Sequence, residues 1–555
     1  MHSLPVAGSC ATEPAAGFLP SRDTATITTH EDDEAERMAS NQSGQTGDDT
    51  YDVVVVGSGG GGCCAAYTAA REGLSVLMIE ATDKFGGTTA YSGGGGMWFP
   101  CNAVLRRAGD DDTLEDAAEY YHAVVGDRTP RALQDAYVTG GAPLVDYLEK
   151  DDRLAFEVLP WPDYFDKAPK ARPGGRHIIP SPLPASELGE RRADLRPPLG
   201  TDRLGHPLPD DLVGGQALIG RFLRALDEYP HASMWTNAPL EELVTDEDGR
   251  VRGVVVATEN GRRTVTARAG VVLAAGGFEA DDEMRAQHGV PGTARDTMGP
   301  WGNLGAAHRA AMAIGADTDL MSEAWWSPGM THPDGRSAFA LWFTGGIFVN
   351  DSGNRFVNES APYDRLGRDV IDRMADGTVT LPYWMVYDHK EGDVPPVHAT
   401  NVPYSPTEEY VEAGLWRTAD TLEGLAEQIG VPAEALVATV ERYNKLAETG
   451  VDEDFGRGDE AYDRAFAGGK SPLVPIDTPP YHAAAFGISD LGTKGGLRTD
   501  TSGRVLKADG SVVAGLFAAG NTMAAPSGTV YPGGGNPIGT SMLFGHLAVR
   551  AMTER

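Results

Sequence analysis

A glycine-rich turn near the start of the chain carries the clearest chemical signal. Gly57, Gly59 and Gly62 have the spacing GxGxxG, and Glu80 follows 23 residues after the first of them. Between a strand and a helix, such a turn lets backbone N–H groups approach a pyrophosphate, and an acid about 20 residues later binds a ribose hydroxyl. We therefore predict a dinucleotide site at Gly57, Ser58, Gly59, Gly62 and Glu80 rather than a plain turn.

The elements on either side of this turn fit that prediction. Residues 51–57 include four consecutive valines, which is typical of a parallel strand that is buried on both faces. A helix is predicted for 63–72 and a second strand for 74–80, which makes a βαβ unit. In such a unit the last glycine, Gly62, lets the helix pack on the strand.

The rest of the chain divides into segments of different character. The pattern predicts helices over 110–150 and from 214, loops over 157–210, a hairpin over 251–273, helices within 405–446, a strand and turn at 515–520, and a last helix over 540–552. Residues 290–480 are also richer in Trp, Tyr and Pro. We predict a first domain formed by 51–290 and completed by 481–555, a second domain over 291–480, and a disordered extension over 1–48.

Composition narrows the class of protein. The 555 residues carry 80 acidic and 46 basic side chains, a formal net charge of −34, which would repel nucleic acid and anionic membranes. The four cysteines, Cys10, Cys63, Cys64 and Cys101, form no CxxC pair, so we predict no disulfide framework, no metal site and a reducing cytoplasm. No stretch has the length of a membrane span or the pattern of a secretion signal. Met38 is a second candidate for the translation start, which leaves residues 1–37 uncertain as translated sequence.

A second glycine-rich loop, residues 86–96 (GGTTAYSGGGG), follows the βαβ unit directly. It resembles the segment that lies along the flavin in fumarate reductase-like and ketosteroid dehydrogenase flavoproteins, and later turns resemble their other FAD contacts. The resemblance implies FAD, bound non-covalently because the loop has no histidine. The further FAD-binding residues that it implies are Gly87, Thr88, Thr89, Ser92, Gly93, Gly94, Ala275, Gly276, Gly520, Asn521, Pro537 and Ile538.

Three tyrosine motifs make the resemblance specific over nearly the whole chain after residue 50. They are Trp161-Pro-Asp-Tyr164 before a PGG, the segment 354–363 that ends in Tyr363, and Thr529-Val-Tyr531 followed by PGGGNPIG. Residues 454–458 (DFGRG) and 489–496 (SDLGTKGG) are consistent with it. These motifs resemble those of the 3-ketosteroid Δ1-dehydrogenases. The implied fold class is α/β, with a Rossmann-like FAD-binding domain interrupted by a mixed α+β substrate domain.

The resemblance also implies a role for each catalytic residue. These enzymes remove a proton from carbon 2 of a 3-ketosteroid and pass a hydride from carbon 1 to flavin N5. Tyr531 and the backbone N–H of Gly535 would bind the ketone oxygen, Tyr363 would take the proton, and Tyr164 would be hydrogen-bonded to Tyr363. Because a free tyrosine has a pKa near 10, we expect Tyr164 or a helix N-terminus to stabilise the phenolate.

The expected partners are a flat, apolar steroid ketone, with Trp325 and Trp326 available for its pocket, and an external electron acceptor such as a quinone. Two other enzymes stay open: a ketosteroid dehydrogenase acting on the 4,5 bond, and a fumarate reductase-like flavoprotein. The latter needs an arginine proton donor and basic residues for carboxylates, and here a tyrosine occupies the corresponding glycine-rich motif. A flavin-binding protein without a redox role is the alternative outside enzymes.

Overall fold

A mixed eight-stranded sheet organises the first part of the computed structural model, which describes residues 49–467 and 470–554. The valine-rich strand Thr50–Val56 lies inside this sheet, parallel to Val76–Ile79 on one side and to Gly261–Leu273 on the other. Its four valines are buried, as expected for a strand covered on both faces. The strands of this first sheet are Thr50–Val56, Val76–Ile79, Ala232–Trp235, Leu240–Thr245, Val251–Thr258, Gly261–Leu273, Arg504–Leu506 and Val512–Ala518.

Helices cover this sheet where the pattern predicts them. Gly60–Arg71 follows the glycine turn, and Gly214–Leu226 starts at the predicted residue. The last helix, Asn536–Thr553, packs closely against Gly60–Arg71. It begins four residues before the predicted start at 540, because Pro537 stands in its first turn, where a proline costs no hydrogen bond.

A second, antiparallel sheet is built around the strand Tyr481–Thr493, which pairs with Ala324–Thr331, Tyr383–Asp388 and Trp416–Ala419. The helix Tyr363–Ala375 packs on this sheet. Its remaining strands are Ser337–Phe343, Ile347–Val349 and Val397–Thr400.

The predicted fold class is confirmed, since a mixed sheet with parallel central strands and its helices is interrupted in sequence by an antiparallel sheet with its own helices. The domain boundaries stay a prediction, because Asp49–Arg555 forms one compact unit. Tyr481–Thr493 belongs to the second sheet although it lies after the boundary proposed at 481.

The remaining elements connect these two sheets. The predicted helical region 110–150 is two helices, and 157–210 holds only short elements between loops. The other helices are Ala103–Arg107, Leu114–Val125, Arg131–Leu148, Leu199–Leu204, Asp282–His288, Ala306–Ala313, Thr407–Glu412, Leu422–Ile429, Ala433–Thr449 and Ala461–Ala465. Short strands are Met97–Trp98, Phe156–Val158, His177–Pro180, Leu183–Pro184, Asp211–Leu212, Thr318–Asp319 and Gly496–Leu497, and 3₁₀ turns are Gly87–Tyr91, Ala185–Ala193, His389–Glu391 and Gly520–Thr522.

Residues 1–48 lie outside the described residues, and with them the predicted extension and the alternative start at Met38. Among the residues that are described, no helix has both the length and the apolar character needed to cross a membrane. Cys63, Cys64 and Cys101 are free thiols and are buried.

Candidate active site

The first glycine turn has the backbone that its sequence predicts. Gly57 has a φ of +102°, and a Cβ there would lie 2.2 Å from the carbonyl oxygen of Ala274. A Cβ on Gly62 would lie 1.9 Å from the carbonyl oxygen of Gly57, so this residue lets the helix pack against the turn. Gly59 is different, because its nearest neighbour, Oγ1 of Thr89, would be 3.6 Å away. It therefore leaves room beside the helix N-terminus.

Glu80 ends the second strand and is held by the same turn. The hydroxyl of Ser58 donates to its Oε2 at 2.5 Å, and the backbone N–H of Thr82 donates to Oε1 at 2.9 Å. These bonds fix the carboxylate at the wall of the cavity, where it can accept further hydrogen bonds from a ribose.

The second glycine-rich loop lies against the first. Thr89 Oγ1 accepts a hydrogen bond from the backbone N–H of Gly60 at 3.0 Å, which caps the N-terminal turn of that helix. The far end of the loop is packed tightly, since a Cβ on Gly95 would contact the backbone of Gly214 at 2.4 Å. The loop is thereby fixed along the same cavity as the first turn.

One cavity of about 670 Å³ runs past both glycine loops. All the predicted cofactor and catalytic residues line it except Gly62, which lies behind the turn. Those lining it are Gly57, Ser58, Gly59, Glu80, Gly87, Thr88, Thr89, Ser92, Gly93, Gly94, Tyr164, Ala275, Gly276, Tyr363, Gly520, Asn521, Tyr531, Gly535, Pro537 and Ile538.

The residues present fit FAD. Glu80 and Gly59 offer a ribose acceptor and a close backbone approach at one end, and two helices begin beside the cavity, at Gly60 and Asn536. Helix N-termini present unpaired N–H groups and a positive dipole to phosphate and carbonyl groups. Gly535 caps the second of these helices with a φ of +86°, and a Cβ there would lie 2.5 Å from the backbone of Gly96.

The structure brings the three predicted tyrosines together at the other end of the cavity. The ring centroid of Tyr164 is 5.7 Å from that of Tyr363 and 5.1 Å from that of Tyr531, and the last two are 5.6 Å apart. All three side chains are buried. The backbone N–H of Gly535 donates to the Tyr531 hydroxyl at 3.3 Å, so two potential donors for one oxygen are neighbours.

The Tyr164 loop is held to the Tyr531 motif through the backbone. The N–H of Tyr164 donates to the carbonyl of Pro532 at 3.0 Å, and Asp163 forms a bridge with Gly533. The second glycine of the PGG sequence, Gly175, has no room for a side chain, because a Cβ there would lie 1.7 Å from the carbonyl oxygen of Trp161.

Burial is the largest influence on the pKa values of Tyr164, Tyr363 and Tyr531. It raises the pKa of Tyr363 well above 10, and the neighbouring Tyr164 and Tyr531 raise it further. Burial likewise raises the pKa of Tyr164 and of Tyr531. Opposing this, Tyr363 is the first residue of the helix Tyr363–Ala375, whose dipole favours a negative charge there. Trp161 Nε1 also donates to the Tyr164 hydroxyl at 3.2 Å, which strengthens Tyr164 as a donor toward Tyr363.

Sequence reasoning missed several residues of the cavity. They include His177, Met298, Asn303 and Asn401. The only local signal is the glycine that precedes Asn303, whose side-chain amide donates to Thr88 Oγ1 at 3.0 Å. Trp326 corrects an expectation: Trp325 lines the cavity, but Trp326 packs in a separate cluster with Phe278, because neighbouring side chains on a strand face opposite ways.

Comparison with known proteins agrees with this geometry. Residues 52–538 match the FAD binding domain family. The chain is 38% identical to a 3-oxosteroid 1-dehydrogenase of Mycobacterium tuberculosis, over 91% of this chain and 98% of the relative. It is 37% identical to a 4-oxocyclohexanecarboxylate 2-dehydrogenase of Sinomonas cyclohexanicum, over 91% and 93%. A crystal structure of the 3-ketosteroid Δ1-dehydrogenase of Sterolibacterium denitrificans, in complex with 1,4-androstadiene-3,17-dione, covers 91% of this chain and 99% of its own at 33% identity and a TM-score of 0.83.

The cavity and the fold thus define an FAD-dependent flavoprotein, and the cofactor is FAD. Within that class, the chain belongs to the 3-ketosteroid Δ1-dehydrogenase family.

Proposed function

We propose that this protein catalyses the 1,2-dehydrogenation of 3-ketosteroids. The observation that carries the proposal is the lining of the cavity beyond the glycine loops. Three phenols meet there with Trp325, Phe339 and Trp342, and no lysine or arginine of the described residues lines the cavity. Such a surface suits an uncharged, flat ketone and offers no lysine or arginine to pair with a carboxylate.

The residues divide the reaction between them. The Tyr531 hydroxyl and the Gly535 N–H bind the ketone oxygen and stabilise the negative charge that develops on it. This polarisation acidifies carbon 2, and Tyr363 takes the proton from that carbon. FAD, when bound, supplies the acceptor for the hydride from carbon 1.

Tyr164 and Trp161 support the proton transfer. The Trp161 N–H donates to the Tyr164 oxygen, which leaves the single Tyr164 proton free to donate to Tyr363. Donation from a neutral Tyr164 and the dipole of the helix that begins at Tyr363 would both favour the phenolate, against the burial and the charge of neighbouring phenolates that raise the pKa of Tyr363.

A second candidate is a dehydrogenase of a one-ring keto acid. It is favoured by the 37% identity to the relative from Sinomonas cyclohexanicum, whose name specifies 4-oxocyclohexanecarboxylate. The absence of lysine and arginine from the described cavity lining is the reason to prefer the steroid, because a carboxylate buried there would have no guanidinium or ammonium partner.

The test is anaerobic mixing of the FAD-loaded protein with androst-4-ene-3,17-dione, its 4,5-saturated analogue, 4-oxocyclohexanecarboxylate or succinate, monitored by flavin absorbance. We expect only the steroids to bleach the flavin, with a 1,2-unsaturated product in mass and NMR analysis. Bleaching by the keto acid alone would select the second candidate. Desaturation of the saturated analogue at the 4,5 bond, or bleaching of the flavin by succinate only, would overturn the proposal.

Turnover also requires that electrons leave the cofactor. We propose an external acceptor of the quinone class and a reducing compartment, the cytoplasm. The free, buried thiols of Cys63, Cys64 and Cys101 support the reducing compartment. A steady-state assay with a soluble quinone in place of oxygen tests the proposed acceptor, and failure of the quinone to sustain turnover would exclude it.

A further inference from the structure

A buried lysine lies directly behind the tyrosine cluster. Lys494 belongs to the SDLGTKGG segment and has no exposed side-chain surface. Its Nζ donates to the carbonyl oxygens of Thr529 and Val530, at 3.3 and 3.2 Å. These two residues immediately precede Tyr531, so the ammonium group fixes the backbone that carries this phenol.

The same ammonium group also contacts the wall of the cavity. It lies 4.1 Å from the ring centroid of Trp325, a cation–π contact, and the Trp325 ring packs edge-on against Tyr531 at 5.2 Å. Trp325 Nε1 in turn donates to Asn521 Oδ1 at 3.0 Å. Lys494 therefore supports Tyr531 in two ways. It binds the backbone that precedes Tyr531, and it contacts Trp325, whose ring packs against the Tyr531 ring.

Lys494 further compensates a buried negative charge. Asp364, next to the proposed base Tyr363, is buried, and its Oδ1 accepts no hydrogen bond. Lys494 Nζ is 3.9 Å from this oxygen. The charge of Asp364 contributes to the raised pKa of Tyr531, so it opposes negative charge at the ketone end of the site. An adjacent ammonium cancels much of that effect.

We propose that Lys494 is a positioning residue of the dehydrogenation, which it serves by fixing Tyr531 and offsetting Asp364. The inference rests on the proposed function. The charged groups that act on Lys494 are Asp364, Arg368 and Glu323, and burial lowers its pKa to about 8. It is thus charged below that pH and neutral above it.

The experiment compares wild type, Lys494→Met, Lys494→Arg and the double variant Lys494→Met with Asp364→Asn, all loaded with FAD. Rapid-mixing rates of flavin reduction are measured at saturating steroid, with product-steroid binding as the control for pocket integrity. We expect Lys494→Met to bind steroid normally and to reduce flavin at least about tenfold more slowly. The double variant should recover part of the loss, and Lys494→Arg, which keeps the positive charge, should recover more.

The pH dependence separates this role from simple packing. The ratio of wild-type to Lys494→Met rates should shrink as the pH rises through about 8, because the wild-type lysine then loses its charge. A wild-type rate in Lys494→Met, or a ratio that is flat with pH and unchanged by Asp364→Asn, would overturn the inference. The wild-type rate tests the proposed function and the ratios test Lys494, so the two can fail separately.

A second, independent cluster lies on the second sheet, away from the cavity. His389 Nδ1 is 3.2 Å from His482 Nε2 and 3.0 Å from Asp393 Oδ1, and the last two atoms are 3.8 Å apart. Two imidazoles bound to zinc at about 2.05 Å in tetrahedral geometry would have their nitrogens about 3.3 Å apart. Nδ1 of His482 is 2.9 Å from the Thr418 hydroxyl, and this contact fixes the ring. The Tyr387 hydroxyl donates to the backbone carbonyl of Asp393 at 2.6 Å, which fixes the loop that carries this carboxylate.

We infer that His389, Asp393 and His482 bind a divalent transition metal of the zinc class, with water completing the coordination. Equilibrium dialysis of chelator-treated protein against Zn²⁺ should give a site that His389→Ala removes and that the exposed control His206→Ala keeps. Flavin reduction by the steroid should continue without the metal. Wild-type binding that is weaker than millimolar, or that His389→Ala leaves unchanged, would refute the site.

Discussion

The three phenols of the site differ in the backbone that carries them. Tyr363 begins a helix, Tyr531 stands in a glycine-rich turn before another helix, and Tyr164 lies in a loop that is hydrogen-bonded to Pro532. A group that must bear negative charge gains from a helix N-terminus, whereas a group that donates needs only a fixed orientation. The backbone therefore supports the division of roles between Tyr363 and Tyr531.

Their Phe variants should fail in different ways. Tyr363→Phe removes the proton acceptor, so turnover should be nearly abolished while steroid still binds in the unchanged apolar cavity. Tyr531→Phe removes one of two donors to the ketone oxygen, a loss on the order of 3 kcal/mol or about a hundredfold in rate. Hydrogen exchange at carbon 2 in deuterated solvent checks the assignment. Exchange at the wild-type rate in Tyr363→Phe would show that this residue is not the base.

Trp161 offers a test of the donor chain. Trp161→Phe keeps an aromatic ring but removes the N–H that donates to Tyr164, so the rate of flavin reduction should fall by about tenfold. Trp342→Phe is the matched control, since its ring is 5.6 Å from that of Trp161 and also lines the cavity. Equal effects of the two variants on the rate would exclude the chain.

At the scale of elements, the first glycine turn combines two separable tasks. Gly62 lets the helix Gly60–Arg71 pack on the turn, and Gly59 leaves space beside the helix N-terminus. The consequences of adding a methyl group should therefore be different at the two positions.

Gly62→Ala should destabilise the fold itself by about 3 kcal/mol or more, because the new Cβ overlaps a backbone oxygen. Gly59→Ala should melt like wild type without cofactor, because its Cβ has ordinary contact distances, yet bind FAD at least about tenfold more weakly. Thermal melting of the cofactor-free proteins and titration with FAD measure the two effects. Wild-type FAD affinity in Gly59→Ala would contradict the assignment of this turn to the pyrophosphate.

At the scale of the whole molecule, the net charge of −34 sets the response to salt. Like charges on a compact chain repel, and added ions screen that repulsion. The melting temperature of the FAD-loaded protein should rise as sodium chloride is added up to about 0.5 M, where the Debye length falls to a few ångströms. A fall in melting temperature over this range would mean that the surface ion pairs outweigh the net repulsion.

The sequence alone determined the elements whose signals are local. Four valines before a glycine turn predict a buried strand and a helix start, and fixed spacing then predicts Glu80 at the end of the next strand. The tyrosine motifs were recognisable because each is contiguous. For the same reason the predicted cofactor residues, which lie in a few short glycine-rich runs, fall along one cavity.

Only the tertiary structure decided which distant side chains meet. Trp325 and Trp326 are adjacent in sequence, and strand alternation sends one into the cavity and the other into a separate core. Lys494 is about 130 residues from Asp364 and about 170 from Trp325, so no local pattern could place its charge between them. Contacts of this kind depend on how burial of apolar surface brings the two sheets together. No fixed spacing of residues in the sequence encodes that arrangement.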